Sequence, residues 1–245
     1  MTQSYGQGTM GRHRTMRLTL LPTILLLPLL FVLAACGGDG QEEVVLIEDA
    51  EAIALQIGDV PMDFLEVEGS AMHITNAESC AGAQGDERDE CLSRLEEWGR
   101  LDGYQVEYAT SDPEALLSGT YSIFGAVSIY RDQKGASEAF RVGEGRLQED
   151  LRQLEDAAPV EIPTIGDESV AFVTVASQTV GTRDISASLY VIDFRRGNVL
   201  VRIGATAATA LASVDDALRL AERLDERILR VASQTSPAAS PTAAP

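Results

Sequence analysis

The stretch Thr120–Tyr130 is apolar on both of its alternating faces, and no other feature constrains the fold as strongly. One set is Tyr121, Ile123, Val127 and Ile129; the other is Phe124, Ala126 and Tyr130. A strand with one apolar face can lie at a solvated sheet surface, but two apolar faces need cover on both sides. The stretch therefore reads as a central strand, with a helix on one side and a helix, second layer or ligand on the other.

Other strands surround it. Tyr104, Val106 and Tyr108 alternate with polar residues across 103–110, and residues 169–176, 185–194 and 199–205 read the same way. The last two are joined by Arg195-Arg196-Gly197-Asn198, a tight hairpin turn that forces them to pair. Weaker alternation marks 63–68 and 71–75. Helical spacing covers 47–57, 91–98 (with Gly99 placed to cap it) and 134–154, where Gly143 and Gly145 weaken the helix. The clearest amphipath is 213–229, with Val214, Ala217, Leu218, Ala221, Leu224 and Ile228 on one stripe and Ser213 as N-cap. These elements predict an α+β fold, an antiparallel sheet with helices packed mainly on one face. Each half ends in strands followed by a long helix (121–154, then 185–229), so a pair of diverged half-repeats stays open as a reading.

At the N-terminus, Arg12, Arg14 and Arg17 precede an apolar run that starts near Leu18 and closes on Ala34-Ala35. A basic head, an apolar middle and small residues before a cut define a secretory signal peptide, not a membrane span. The run Leu33-Ala34-Ala35-Cys36 resembles the lipobox of bacterial lipoproteins. That resemblance implies removal of residues 1–35, fatty acylation (palmitate) of Cys36 as the first mature residue, and a lipid anchor on the extracytoplasmic face of the cell membrane. Residues 36–41 then form the lipidated end and a Gly-rich tether. Residues 42–231 form a single α+β domain, and 232–245, rich in Ser, Thr, Ala and Pro, a disordered tail.

The net charge is −19, and cleavage removes three arginines and no acids, giving −22. So acidic a chain is repelled by nucleic-acid phosphates and anionic headgroups, which excludes nucleic acid as a partner through a broad electrostatic surface. With Cys36 committed to lipid, Cys80 and Cys91 remain as a pair in an oxidising compartment. A structural disulfide between them is favoured over a metal site, for which two distant cysteines are too few, and over a redox pair, which would sit as C-x-x-C.

No catalytic, cofactor-binding or metal-ligating residue is assigned, and no cofactor is implied. His73, the one mature histidine, lies between Met72 and Ile74 with no second histidine for a metal and no G-x-S-x-G elbow for a triad, so it reads as structural. The acids Asp86, Glu87, Asp89 and Glu90 read as a solvated surface loop; the donor order of a calcium-binding EF-hand is absent. Tyr104, Tyr108 and Tyr121 are the candidate ligand-lining residues: sharing an exposed face, they would line an apolar groove with polar tips. The competing reading places them in the core.

Two further stretches, Ile165-Gly166-Asp167-Glu168-Ser169 and Phe194-Arg195-Arg196-Gly197-Asn198-Val199-Leu200-Val201, resemble uncharacterised extracytoplasmic domains of bacterial lipoproteins and sensor-like proteins. The resemblance implies an α+β domain outside the cytoplasm and carries no catalytic residue. The expected function is a non-enzymatic binding or interaction domain, taking a small apolar ligand or a protein partner near the membrane. The alternative is an envelope-associated hydrolase using a carboxylate pair. Replacing Cys36 by alanine should leave an unprocessed or released product, because two or more acyl chains at about 0.8 kcal/mol per buried methylene supply the attachment. Membrane fractionation with unchanged attachment and normal processing would refute the lipid anchor.

Overall fold

The computed structural model describes residues 48–111, 119–153, 157–180, 183–208 and 212–235. The Thr120–Tyr130 stretch is a strand, β4, and both its edges are occupied: β3 (Arg100–Thr110) on one side and β8 (Val199–Ala208) on the other. β8 pairs with β7 (Arg183–Arg196), β7 with β6 (Glu168–Val180), and β6 with the short edge strand β5 (Ala157–Pro159). Beyond β3 lie β1 (Phe64–Glu66) and β2 (Met72–His73), both pairing with it. All pairings are antiparallel, so the eight strands form one sheet of the expected class.

The registers define two faces. Val106, Tyr108, Ile123, Val127, Ile129, Val201, Ile203, Ile192 and Phe194 share the first, which holds the main core. It is covered by the final helix (Val214–Thr235) and by α1 (Ala50–Ile53) with the extended segment after it, whose Ala54 and Leu55 are buried. The second face carries Phe124, Tyr130, Val191 and Leu200, and the long helix Gln133–Gln153 lies against it through Ala136 and Ala139. Numbering helices in chain order, α2 is Asn76–Ser79, α3 Asp86–Glu97, α4 Gln133–Gln153 and α5 Val214–Thr235. On the same face the Phe124 ring lies over Gly204 of the neighbouring strand and occupies the space a side chain would take.

The long helices therefore flank the sheet on opposite faces. This speaks against half-repeats. Strands β4 and β8 are antiparallel neighbours, so two copies of a strand–strand–helix unit joined there would be related by a two-fold axis normal to the sheet. That operation keeps both helices on one face. The units β3–β4–α4 and β7–β8–α5 are of opposite hand.

Several boundaries move from those expected. The 47–57 helix shrinks to α1, capped by Asp49, plus a 3₁₀ turn at Ile57–Asp59, because the chain between them runs extended to bury Leu55 under Tyr108, whose hydroxyl donates to the Leu55 carbonyl at 3.4 Å. A four-residue helix contributes little by itself, so burial decides. The acidic segment 86–90 is no loop: Asp86, Glu87 and Asp89 form the first turn of α3, where the helix dipole favours carboxylates. Helix α5 continues past Leu229 to Thr235, its Val231 and Ala232 packing on the core, so 232–235 belong to the domain and not to a tail. Residues 236–245, like Cys36 and residues 1–35 expected as a signal peptide, lie outside the described residues. On α5 the buried leucines are Leu220 and Leu224; Leu218 is half-buried.

Leu224 is 1% exposed and Leu229 is 49% exposed on the same helix. Leu224→Ala should cost about 2–5 kcal/mol of unfolding free energy, and Leu229→Ala within about 0.5 kcal/mol of zero. Denaturant unfolding of the two variants checks this; equal costs would misplace the buried face of α5.

Candidate functional site

The first turns of α5 and the segment after α1 approach each other across the start of β4. Ser213 caps α5 by accepting from the Asp215 amide (3.1 Å), and Asp216, in the first turn, accepts a 2.6 Å hydrogen bond from the Thr120 hydroxyl. Arg219 pairs with Asp216. Further along α5, Arg227 holds both carboxylate oxygens of Asp59 at 2.7 Å and also donates to the Ala54 carbonyl, while Arg223 donates to the Asp59 carbonyl at 2.7 Å. These bonds strap the segment Ala54–Pro61 along α5.

Between strap, helix and strand lies a cavity of about 280 Å³. Val60, Pro61, Ile123 and Leu220 supply apolar walls; Thr120, Asp216, Arg219 and Arg223 supply polar ones. A largely apolar hollow with a few convergent polar groups is the usual form of a small-molecule site. Sequence reasoning did not single out these residues. The spacing of Arg219, Arg223 and Arg227 at every fourth position was a readable sign of a basic stripe, but nothing local linked it to Asp59, 168 residues away.

The candidate tyrosines differ in burial. Tyr108 is 3% exposed in the main core. Tyr104, on the same face of β3, is half-buried and meets the His73 ring edge-on at 5.2 Å between centroids; Tyr121 is half-buried at the irregularity between Thr120 and Ser122. Burial raises the pKa of Tyr104 and Tyr108, so both hydroxyls stay protonated at neutral pH. His73 is exposed and lies 3.2 Å from Asp102 and 3.6 Å from Glu51; the Asp102 hydrogen bond leads in raising its pKa. Cys80 and Cys91 are disulfide-bonded, with Cα atoms 5.9 Å apart, and join α2 to α3. The buried Arg100 ties this region to the sheet, donating to the Ile74 carbonyl (3.0 Å), the Asn76 side chain (2.9 Å) and Ser128 (3.2 Å).

The two sequence stretches with lipoprotein resemblance meet in space. The Asp167 amide donates to the Arg195 carbonyl at 2.7 Å; Arg195 reaches Asp167 and Glu168, each at 2.7 Å. The Gly197 amide closes on Asp167 at 2.9 Å. Gly166 has φ +66, and a side chain there would run into the Arg195 carbonyl, so this position requires glycine. Next door, Arg196 holds Asp225 of α5 with bonds of 2.7 and 2.6 Å. These residues form a structural clamp at the hairpin turn.

No protein-family model matches the chain, and no curated protein matches it. Among solved structures it is similar to the extracellular domain of PknH from Mycobacterium tuberculosis, at 11% identity and a TM-score of 0.34, over 76% of this chain and 93% of that one. The functional reading therefore rests on this chain's own residues. No described helix is long and apolar enough to cross a membrane.

Burial alone would raise the pKa of Glu168, but the Arg195 and Ser137 hydrogen bonds outweigh it and hold the carboxyl below its ordinary 4.5. A folded pKa below the unfolded one contributes stability that is complete above the unfolded value and lost as pH falls through the folded value. Glu168→Gln should therefore cost about 1–2 kcal/mol at pH 7, with the gap to wild type closing as the pH drops below 4.5. Urea unfolding across pH 3–7 checks it; a gap independent of pH would dissociate Glu168 from the clamp's charge.

Proposed function

We propose that the chain is an extracytoplasmic domain, held to the membrane by lipid on Cys36, that binds a small molecule without transforming it. The cavity between the Ala54–Pro61 strap, β4 and α5 carries this reading, since it joins apolar walls to a few directed polar groups. The Cys80–Cys91 disulfide supports the compartment, because such bonds persist outside the reducing cytosol. The carboxylates favour binding over hydrolysis. A hydrolytic pair needs one acid free to ionise and another kept protonated. Here Asp59 is chelated by Arg227, Asp216 is held by Arg219 and Thr120, Asp193 by Arg202, and Asp225 by Arg196. Carboxylates engaged by guanidinium groups in this way are not free to face a substrate as an acid–base pair.

Native mass spectrometry of the protein purified from membranes should show, beside the lipidated chain, a population carrying a small bound molecule that is lost on denaturation. A single unliganded mass, together with turnover of envelope polymers by the same preparation, would replace binding by hydrolysis.

A further inference from the structure

The geometry points to the ligand's class: a compact monocarboxylate with an apolar body, its carboxylate on Arg223 and Arg219 and its hydrocarbon against Val60, Pro61, Ile123 and Leu220. The inference rests on the reading of this cavity as a binding site. Charge selects the head group. Four ionisable residues line the hollow, Asp59, Asp216, Arg219 and Arg223. Asp59 is answered from behind by Arg227, which is not in the lining, and Asp216 is answered by Arg219. Arg223 donates to a neutral carbonyl, that of Asp59, and among the described residues it has no carboxylate within ion-pair distance. Among the described residues one positive charge at the wall thus remains unanswered, in a chain whose net charge is −19.

A planar guanidinium is suited to a planar carboxylate through paired hydrogen bonds. A dianionic head such as a phosphate monoester would bring a second negative charge beside Asp216, where the described lining offers no cation besides Arg219 and Arg223. A cationic head would leave Arg223 unanswered and add repulsion. Size sets the body. The cavity, about 280 Å³, lies at the small end of ligand pockets, which run from roughly 300 to 1,000 Å³. That suits a molecule of about ten heavy atoms. The apolar walls favour hydrocarbon for all but the head.

Calorimetric titration of the full chain with octanoate, octanol and octylamine separates the alternatives, because the three share a tail and differ in head charge. Octanoate should bind, with octanol at least about tenfold weaker and octylamine weaker still. Arg223→Gln should weaken octanoate about tenfold or more, the effect of losing a charged hydrogen-bond partner, and Arg223→Lys should restore part of it. Arg223 also helps hold the strap, so Arg219→Gln, which leaves the strap bonds intact, provides a second variant and should weaken octanoate severalfold. Arg230→Gln on the same helix, away from the cavity, should bind as wild type. Equal binding of octanol and octanoate, or full affinity in folded Arg223→Gln and Arg219→Gln, would overturn the carboxylate while leaving an apolar binding cavity in place. No binding of any of the three at millimolar concentration would overturn the ligand class altogether, and a co-purified mass of other chemistry would then show that the binding function survives it.

Discussion

Strand β4 carries apolar residues on both faces, buried on one and partly covered on the other, and the architecture is organised around it. Its Ile123, Val127 and Ile129 are buried beneath α5 and the strap, and its Tyr130 is buried against α4. At roughly 25 cal/mol per Å² of apolar surface, one uncovered face of such a strand would forfeit more than a hairpin's pairing returns. The chain meets the demand by sending its two long helices to opposite sides. A turn fixes that choice: the neighbouring residues Arg195 and Arg196 point to opposite faces of β7. Arg195 binds Glu168, which also accepts from Ser137 of α4, while Arg196 binds Asp225 of α5. Two consecutive arginines thereby tie both covering layers to one hairpin, and Asn198 of the same turn donates to the Tyr130 carbonyl at the end of β4.

An excess of acid over base makes each guanidinium a scarce contact, and their placement is selective. Arg195, Arg196, Arg202 and Arg227 pair with partly buried carboxylates, and Arg100 is buried among neutral acceptors. Apart from the Arg202–Asp193 pair, which spans the β7–β8 hairpin, these are seams between elements well separated in sequence, where a charged hydrogen bond fixes register as well as adding stability. Surface pairs such as Lys134–Glu138 contribute far less. Arg223 differs in being exposed at the edge of a hollow while donating to a carbonyl, which is why its charge bears on function.

Features encoded by local periodicity were legible in the sequence. The limits of β4, the turn between β7 and β8, the Trp98–Gly99 end of α3 and the start of α5 all follow from residues within a few positions of one another. So does the disulfide, which depends on how few cysteines there are and on their compartment. Features decided at long range were not. Alternation places Tyr104, Val106 and Tyr108 on one face but does not say which face; it proved to be the one closed by Leu55, some fifty residues earlier. Leu218 and Leu220 lie on either flank of the α5 stripe, and only the tilt of the helix on the sheet decides that Leu220 is covered more fully. The cavity has no local signature, since its walls come from three segments far apart in sequence.

Those three segments also explain how binding would be felt by the fold. The strap carries little regular structure, a single 3₁₀ turn, and is held to α5 largely by Arg223 and Arg227. Short segments of this kind sit at the low end of local stability within a domain. A ligand between strap and helix would add contacts to both of its weakly joined walls and none to an unfolded chain. Its binding energy would therefore appear as stability of the whole domain, growing with the logarithm of ligand concentration. Because Asp59 joins the cavity to Arg227, and Arg227 lies one turn from the core residue Leu224, the strap, the hollow and the central core would respond as one unit.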